Sequence, residues 1–595
     1  MIGKKQKEVK DKTEKKQKKK FALTEKKSID IAFNILAIFC IALFSMAIVQ
    51  KSFQNDTFYT IKIGQLIRQN GIDYLDHFSW HDNLPYMYPH WLYDVIISLI
   101  YDFMGGFTGI YISTLILSAC LGIVIFIANK KISKNQLISF FLTIAQMYLL
   151  GDYIAARAQL VTFILFVLTI IFIEKFLEKP KKRYAIALII IPIIIANVHS
   201  AVFPFYFVLY LPYIGEYIIR VLSDAHLAHK IYQRFLKYQI NSTNKKLKNV
   251  DKSKVSQYQK KLAMYTKKIE ESNVNFDKSI IRQNDRRKNP YKIKLERNDN
   301  VLKLIVIMCI CFLTGLLTPI KDMPYTYTLR IMKGNTTSNI SEHLPLTLIN
   351  YKDLMMFFAI TFFGITFTKI KIKLRDLFFI GGLTLLAFMS RRQVSMLVLF
   401  GGMSLTRMIS DFVDMYDKKG TEEFMQYVTT MYGECLLILF IFAISYCVYK
   451  PNIGASYVSE ASYPVKASEW IKENLDYENI KIFNDYNYGS YMLYEDIPVF
   501  IDSRCDLYTP EFNGTYNKEK KKYEGKDIFT DYIDTSSISK YYENVFEKYE
   551  ITHVITKSNS KLNMLVSRDK NYKKIYSDSN FIIYERNIAN KEANN

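Results

Sequence analysis

The sequence predicts a polytopic α-helical membrane protein with about 11 transmembrane helices and a small C-terminal extracytoplasmic α/β domain. Three observations carry that expectation. Of 595 residues, 50% are hydrophobic and 15% aromatic, a balance unusual for a soluble multidomain chain. Apolar segments recur at 29–50, 107–128, 136–151, 158–178, 184–198, 201–221, 301–318, 351–369, 375–390, 393–410 and 431–449, each near the roughly 20 residues that cross a bilayer. The net charge of +23 is concentrated in two places: residues 1–28 hold twelve Lys against four acids (+8), and residues 223–300 hold twenty Lys and Arg against eight acids (+12). Basic segments beside membrane helices stay on the cytoplasmic side and attract anionic membrane lipids. They fix orientation and argue against a nucleic-acid partner.

Taken in order, residues 1–28 form a basic cytoplasmic N-terminus. Residues 29–222 form a first membrane region, whose leading helix is too long for the apolar core of a cleavable signal. That helix opens into an outer loop, 51–106, in which the apolar helix 91–105 lies in the interface. Residues 223–300 are a cytoplasmic insert; "KSKVSQYQKKLAMYTKKIEES" is sparsely apolar and reads as part of a long polar helical pair. Residues 301–449 form the second membrane region. The tail, 450–595, carries twenty basic and twenty-three acidic residues and is long enough for one core. Within it "PVKASEWIKENL" and "YYENVFEKYE" read as helices, and "KIFND", "VFIDSR", "THVITK" and "FIIYER" as strands, an alternation that argues for an α/β domain. Gly489 is expected at a turn.

With the N-terminus inside and eleven crossings, the connections at 130–134, 174–183, 223–300, 369–375 and 411–430 fall inside, and nearly all are Lys- or Arg-rich. The outer connections are then 51–106, 151–157, 197–200, 319–350, 390–392 and the tail. Asp56, Asp76, His81, Asp82, His90, Asp152, Arg157, His199, Glu342, His343, Arg391 and Arg392 all sort to that outer face. Charged groups at membrane ends are costly and are kept for pathways or sites. Each residue also has a plainer reading: Asn55 and Asp56 precede a helical stretch and would cap it, and Asp76 in "DHFSW" would hold a turn.

Other classes are excluded. Six of seven Cys fall within the apolar segments, leaving Cys505 alone outside, so no disulfide framework is expected. No P-loop or dinucleotide fingerprint is present.

"DTFYTIKIGQLIRQNGIDYLDHFSW", "PHWLYDVI", "ARAQLVTFILFVL", "ANVHSAVFPF", "LTPIKDMPYTYTL", "NISEHLP" and "FMSRRQVSMLVLF", in that order and sidedness, resemble the C-type glycosyltransferase superfamily, GT-C, over residues 30 to about 590. The likeness is to bacterial membrane glycosyltransferases, and more distantly to protein mannosyltransferases and oligosaccharyltransferases. It implies a GT-C fold and transfer of a sugar from a polyprenyl-phosphate carrier, on the outer membrane face, to an envelope glycan, lipid or protein acceptor. It also implies roles. Asp56 occupies the position of the catalytic base, Asp152 that of a second acidic residue, Glu342 that of a loop carboxylate, and Arg391 and Arg392 that of a donor-phosphate contact. The first loop lacks an Asp-x-Asp pair, so a divalent cation, Mg or Mn, is left open as a cofactor. "NDYNYGSYMLYEDIPVFIDSRCDLY" is similar to the stretch that follows the last membrane helix in such proteins, without the tryptophans of the peptide-transferring members.

The chemistry such a reaction asks for is modest. A sugar leaving as lipid phosphate has a good leaving group, so a carboxylate near the acceptor hydroxyl and cations at the phosphate suffice. Asp56, with Asp76 and Glu342 as further catalytic candidates, would supply the carboxylate. Arg157, Arg391 and Arg392 would clamp phosphate through bidentate guanidinium contacts. His81, His90 and His199 are candidates for donor contact or a metal, although no metal-ligand spacing is visible; a His among aromatics is more often simply hydrogen-bonded. The alternatives are a non-catalytic membrane scaffold or sugar-binding protein, and a transporter of lipid-linked sugar, which would tend to show internal repeats.

Overall fold

The computed structural model describes residues 27–223, 225–247, 254–288, 292–334 and 336–587; most of the basic N-terminus falls outside them. Among the described residues, six helices are long and apolar enough to cross a membrane: Lys27–Ala47 (α1), Phe107–Ser133, Ala158–Glu178, Ser200–Leu222, Arg391–Tyr416 and Met431–Asn452. The other expected spans are shorter helices, of 14 residues at Gln136–Leu149, 17 at Lys182–Val198, 14 at Asn300–Leu313, and 16 each at Lys352–Phe367 and Leu374–Met389. The expected span 201–221 is broken into Phe203–Val208 and Leu211–Leu222, each opening with a proline in its first turn, where the missing N–H costs nothing. At Leu397–Gly401 the chain makes a π-helical turn. Its freed carbonyls are answered by Gln146 Nε2, which donates to Val398 O at 2.8 Å and Leu399 O at 3.0 Å. Such bulges persist only where their polar groups are satisfied.

Between α1 and the second long helix lie α2 (Asn55–Asn70) and α3 (Trp91–Phe103). Their backbones touch at Gly64, where an added Cβ would lie 2.0 Å from Asp94 O. The insert forms two helices, Ala225–Leu247 and Val255–Lys288, packed on one another. Its return strand β1 (Ile293–Lys294) pairs in parallel with β2 (Ile372–Lys373).

The tail builds a four-stranded sheet in the order β3-β6-β8-β7 from β3 (Ile482–Phe483), β6 (His553–Lys557), β7 (Tyr572–Ser577) and β8 (Phe581–Arg586). A separate hairpin joins β4 (Thr515–Asn517) to β5 (Lys522–Glu524). β7 was not expected. "VFIDSR" is not a strand of this sheet. Asn484 Oδ1 accepts from Phe500 N and its Nδ2 donates to Ile501 O, while Val499 exchanges hydrogen bonds with Phe78 and Trp80 of the first outer loop. Those partners take the backbone groups a sheet neighbour would need. Gly489 sits inside helix Tyr486–Tyr494 rather than at a turn. A Cβ there would lie 2.0 Å from Ile501 O, so glycine permits the close approach of helix and backbone.

The exits of α1 and of the last membrane helix are latched together. Asn452 Nδ2 donates to Val49 O at 2.8 Å, and Lys51 N donates back to Asn452 Oδ1 at 2.9 Å. The segment 51–106 and the tail domain therefore share one end of the helical bundle and one hydrophobic core, in which Phe58, Tyr88, Phe500 and Tyr508 are fully buried.

Candidate active site

A cavity of about 370 Å³ opens where α2, the ends of the membrane helices and the tail domain meet. Of the residues singled out in the sequence, Asp56, His90, Arg157, His199, Glu342, His343 and Arg392 line it. Asp56 lies in the first turn of α2 but makes no cap; the N-cap is Gln54, without a side-chain bond. Instead Arg157, the residue preceding helix Ala158–Glu178, donates from Nε to Asp56 Oδ2 at 2.7 Å and from its terminal nitrogen Nη2 to the same oxygen. Its other terminal nitrogen lies 3.4 Å from Glu342 Oε1. One guanidinium thus joins two carboxylates from loops that are far apart in sequence.

Burial pushes the Asp56 carboxyl upward, but Arg157 and the Ser503 hydroxyl outweigh it and hold the group below the usual carboxylate range. Asp56 therefore stays ionised. Arg392 also lines the cavity; its guanidinium makes no side-chain hydrogen bond or close ion pair among the described residues, and its charge is felt by Asp506 and His199. Two buried atoms on the wall, Asn55 Oδ1 and Tyr86 Oη, have no hydrogen-bond partner among the described residues. A ligand rich in hydroxyl and anionic oxygen would satisfy all three groups.

His90 and His199 are shifted in opposite directions. His90 Nδ1 lies 3.1 Å from both carboxylate oxygens of Asp94. Burial works against its charge, yet the Asp94 carboxylate prevails and the net shift is upward. His199, buried and hydrogen-bonded to Thr162 Oγ1 at 3.1 Å, has no carboxylate beside it and is pushed well below the ordinary histidine value.

The remaining candidates lie elsewhere. Asp76 is fully buried against Arg504, with its Oδ1 2.7 Å from an Arg504 nitrogen, and accepts from Ser79 N at 3.0 Å. It ties the first outer loop to the tail domain, and a second Arg504 nitrogen meets Asp502 at 2.6 Å. His81 Nε2 donates to Phe500 O, 2.9 Å away, within an aromatic cluster; burial takes its pKa down to about 4. Asp152 and Arg391 border a different cavity, of about 650 Å³, between the exits of α1, Gln136–Leu149 and the last helix. Arg391 Nε donates to Pro345 O at 3.3 Å.

No group of three or more His, Cys, Asp or Glu is arranged to hold a metal among the described residues. Of the three carboxylates of the cavity, Asp56 and Glu342 share Arg157 and Asp506 accepts from the Tyr327 hydroxyl, while Asp152 is absent from the lining. The donor set does not fit a divalent cation.

Sequence reasoning missed several residues of the lining. Tyr486, Asn487, Ser503, Arg504 and Asp506 come from the tail, Tyr59 from α2. "NDYNYG" and "DSRCD" lie within the tail stretch "NDYNYGSYMLYEDIPVFIDSRCDLY", which is set apart in the sequence by its resemblance alone. Asp94 carried a fainter signal: "HWLYD" spaces His and Asp four apart, one helical turn.

No family model matches the chain, and no curated protein sequence matches it. Among solved structures it is similar to the crystal structure of the Archaeoglobus fulgidus oligosaccharyltransferase tethered, through a disulfide bond, to an acceptor peptide containing the NVT sequon. The identity is 12%, the match covers 93% of this chain and 74% of that chain, and the TM-score is 0.49.

Proposed function

We propose that the chain is a membrane glycosyltransferase that moves a sugar from a polyprenyl-phosphate carrier to an envelope acceptor at the outer membrane face. On this reading it crosses the membrane about eleven times, with the N-terminus cytoplasmic and the tail domain extracytoplasmic, as the resemblance of its motifs to GT-C enzymes implies. The observation that carries the reading is one cavity holding both a carboxylate locked in its ionised form and an unpaired guanidinium, Asp56 and Arg392.

Both Arg157 nitrogens that reach Asp56 fall on Oδ2, so Oδ1 is free of Arg157 and can accept from an acceptor hydroxyl. A carboxylate of low pKa is a weak base, so its part is to orient that hydroxyl and take its proton late, once the sugar–phosphate bond has largely broken. Arg392 would hold the departing lipid phosphate. Arg157, saturated by Asp56 and Glu342, acts as a bridge that fixes the two loops rather than as a phosphate clamp. Glu342 is its second anchor. No step needs a divalent cation.

Asp56→Asn keeps the size of the side chain and removes its charge. Transfer from a polyprenyl-phosphate sugar should fall by at least about a hundredfold, with membrane expression unchanged. Near-normal turnover would reduce Asp56 to a partner of Arg157 and sink the enzymatic reading.

A further inference from the structure

Asp94 is fully buried, yet it belongs to neither the Asp56–Arg157–Glu342 bridge nor the long apolar helices. It sits where α2 and α3 touch at Gly64, with the Thr60 hydroxyl and His90 as its hydrogen-bonding partners. A buried carboxylate is retained only with partners that answer its charge. On the far side of the imidazole, His90 Nε2 lies 3.3 Å from Tyr59 Oη. Both rings line the cavity.

Burial raises the Asp94 carboxyl and His90 answers it in part; with the proton of the pair on the imidazole, the direction of these bonds follows. An imidazolium has donors at both nitrogens. Nδ1–H is taken by Asp94, so Nε2–H must be accepted by the Tyr59 oxygen. The Tyr59 hydroxyl proton then points away from His90, toward the cavity. We infer that Asp94, His90 and Tyr59 form a hydrogen-bond chain that presents the Tyr59 O–H to an anionic oxygen of the ligand's phosphate. This rests on the glycosyl-transfer reading for the phosphate, but not for the chain itself. Tyr59 is the group that touches ligand; Asp94 and His90 are positioning residues.

The other charged groups around His90 are Asp56 and Tyr59 on α2, Arg157 before Ala158–Glu178, His199 after Lys182–Val198, and Asp506 of the tail. Asp56 and Asp506 favour the imidazolium, and Arg157 opposes it. Asp94, in contact, decides the balance. Removing its charge leaves burial dominant, so the neutral imidazole should take over and the Tyr59 proton should be free to turn back to Nε2.

The test uses the full chain in detergent. Asp94→Asn and Tyr59→Phe should each lower kcat with a polyprenyl-phosphate sugar by at least about tenfold, the effect of one hydrogen bond to a charged group. The double variant should fall no more than about threefold below the worse single variant, because the residues act as one chain. In Asp94→Asn the alkaline limb of the pH–rate profile should move at least about one pH unit toward acid. Histidine-labelled protein gives an assay-free readout. The His90 resonance, identified by its loss in His90→Gln, should titrate above the free-histidine value in the wild type and below it in Asp94→Asn. An unmoved His90 titration, or additive losses in the double variant, overturns the chain. A moved titration in a protein that transfers no sugar supports the ion pair and overturns the glycosyl reading.

Discussion

Helix Ala158–Glu178 carries a charged cluster at each end, and the two clusters are built differently. Arg157 and Glu174 are 17 residues apart, about 25 Å along an α-helix. At the Glu174 end, Arg375 lies within 3.7 Å of Glu174 and Glu296 and 3.8 Å of Glu216, while Arg407 meets Asp376 at 2.8 Å and Glu174 at 3.6 Å. Tyr213 Oη closes the set with a 3.0 Å bond to Glu174. Every carboxylate there faces a guanidinium of the protein itself, with only Arg375 Nε and Arg407 Nε left without a hydrogen-bond partner among the described residues. At the Arg157 end the pairing is incomplete: Asp56 and Glu342 are bridged, and Arg392 is left over beside a cavity. A closed ionic network holds helices together, and an open one has something left to bind. Counting charges would rate the two ends alike; only the pairing separates them.

The sharpest way to break that contrast is at the closed end. Arg407→Ala leaves Asp376 buried without its closest cation, and breaking a buried pair costs about 3–5 kcal/mol. Thermal unfolding in detergent should drop strongly, whereas Arg392→Ala should leave the midpoint nearly unchanged. Next in size, Arg392→Ala should raise the donor KM or lower kcat/KM by about 10- to 100-fold, the effect of one charge-assisted contact. Arg391→Ala, on the other cavity, should change it by less than about threefold; equal losses would mean that the two cavities serve one ligand. The smallest effect is expected from chelation. Excess EDTA should leave transfer essentially intact, and a metal-restored loss of activity would show that Arg157 is displaced in the working enzyme.

How far this was legible in the sequence depends on which dimension is asked about. Sidedness sorted charged residues to one end of the bundle, and six of the ten candidates do line the cavity: Asp56, His90, Arg157, His199, Glu342 and Arg392. Sidedness gives depth along the membrane normal and says nothing about lateral position. That is why Asp152 and Arg391 border another cavity, and why Asp76 and His81 are absorbed into the junction with the tail. Adjacent arginines illustrate the limit, since Arg391 and Arg392 part company over a single residue. Asp94 was hidden because its surroundings are apolar in sequence, "WLYDVIISLI". The tail's strands at His553–Lys557 and Phe581–Arg586 were readable from their apolar runs. "VFIDSR" has the same texture, yet its backbone partners come from Asn484 and from Phe78 and Trp80, up to some 420 positions away.

The Asn452 latch has a consequence for biogenesis. Asn452 reaches Val49 across 403 positions of the chain, and the cavity takes one wall from residues 54–60 and another from residues 486–512. A ribosome delivers these walls at opposite ends of translation. Until the final membrane helix is inserted, Arg392 has no tail domain opposite it and the exit of α1 has no partner. A nascent or prematurely terminated chain would own most of its charged groups but no enclosed place to use them, so assembly itself acts as the checkpoint on activity.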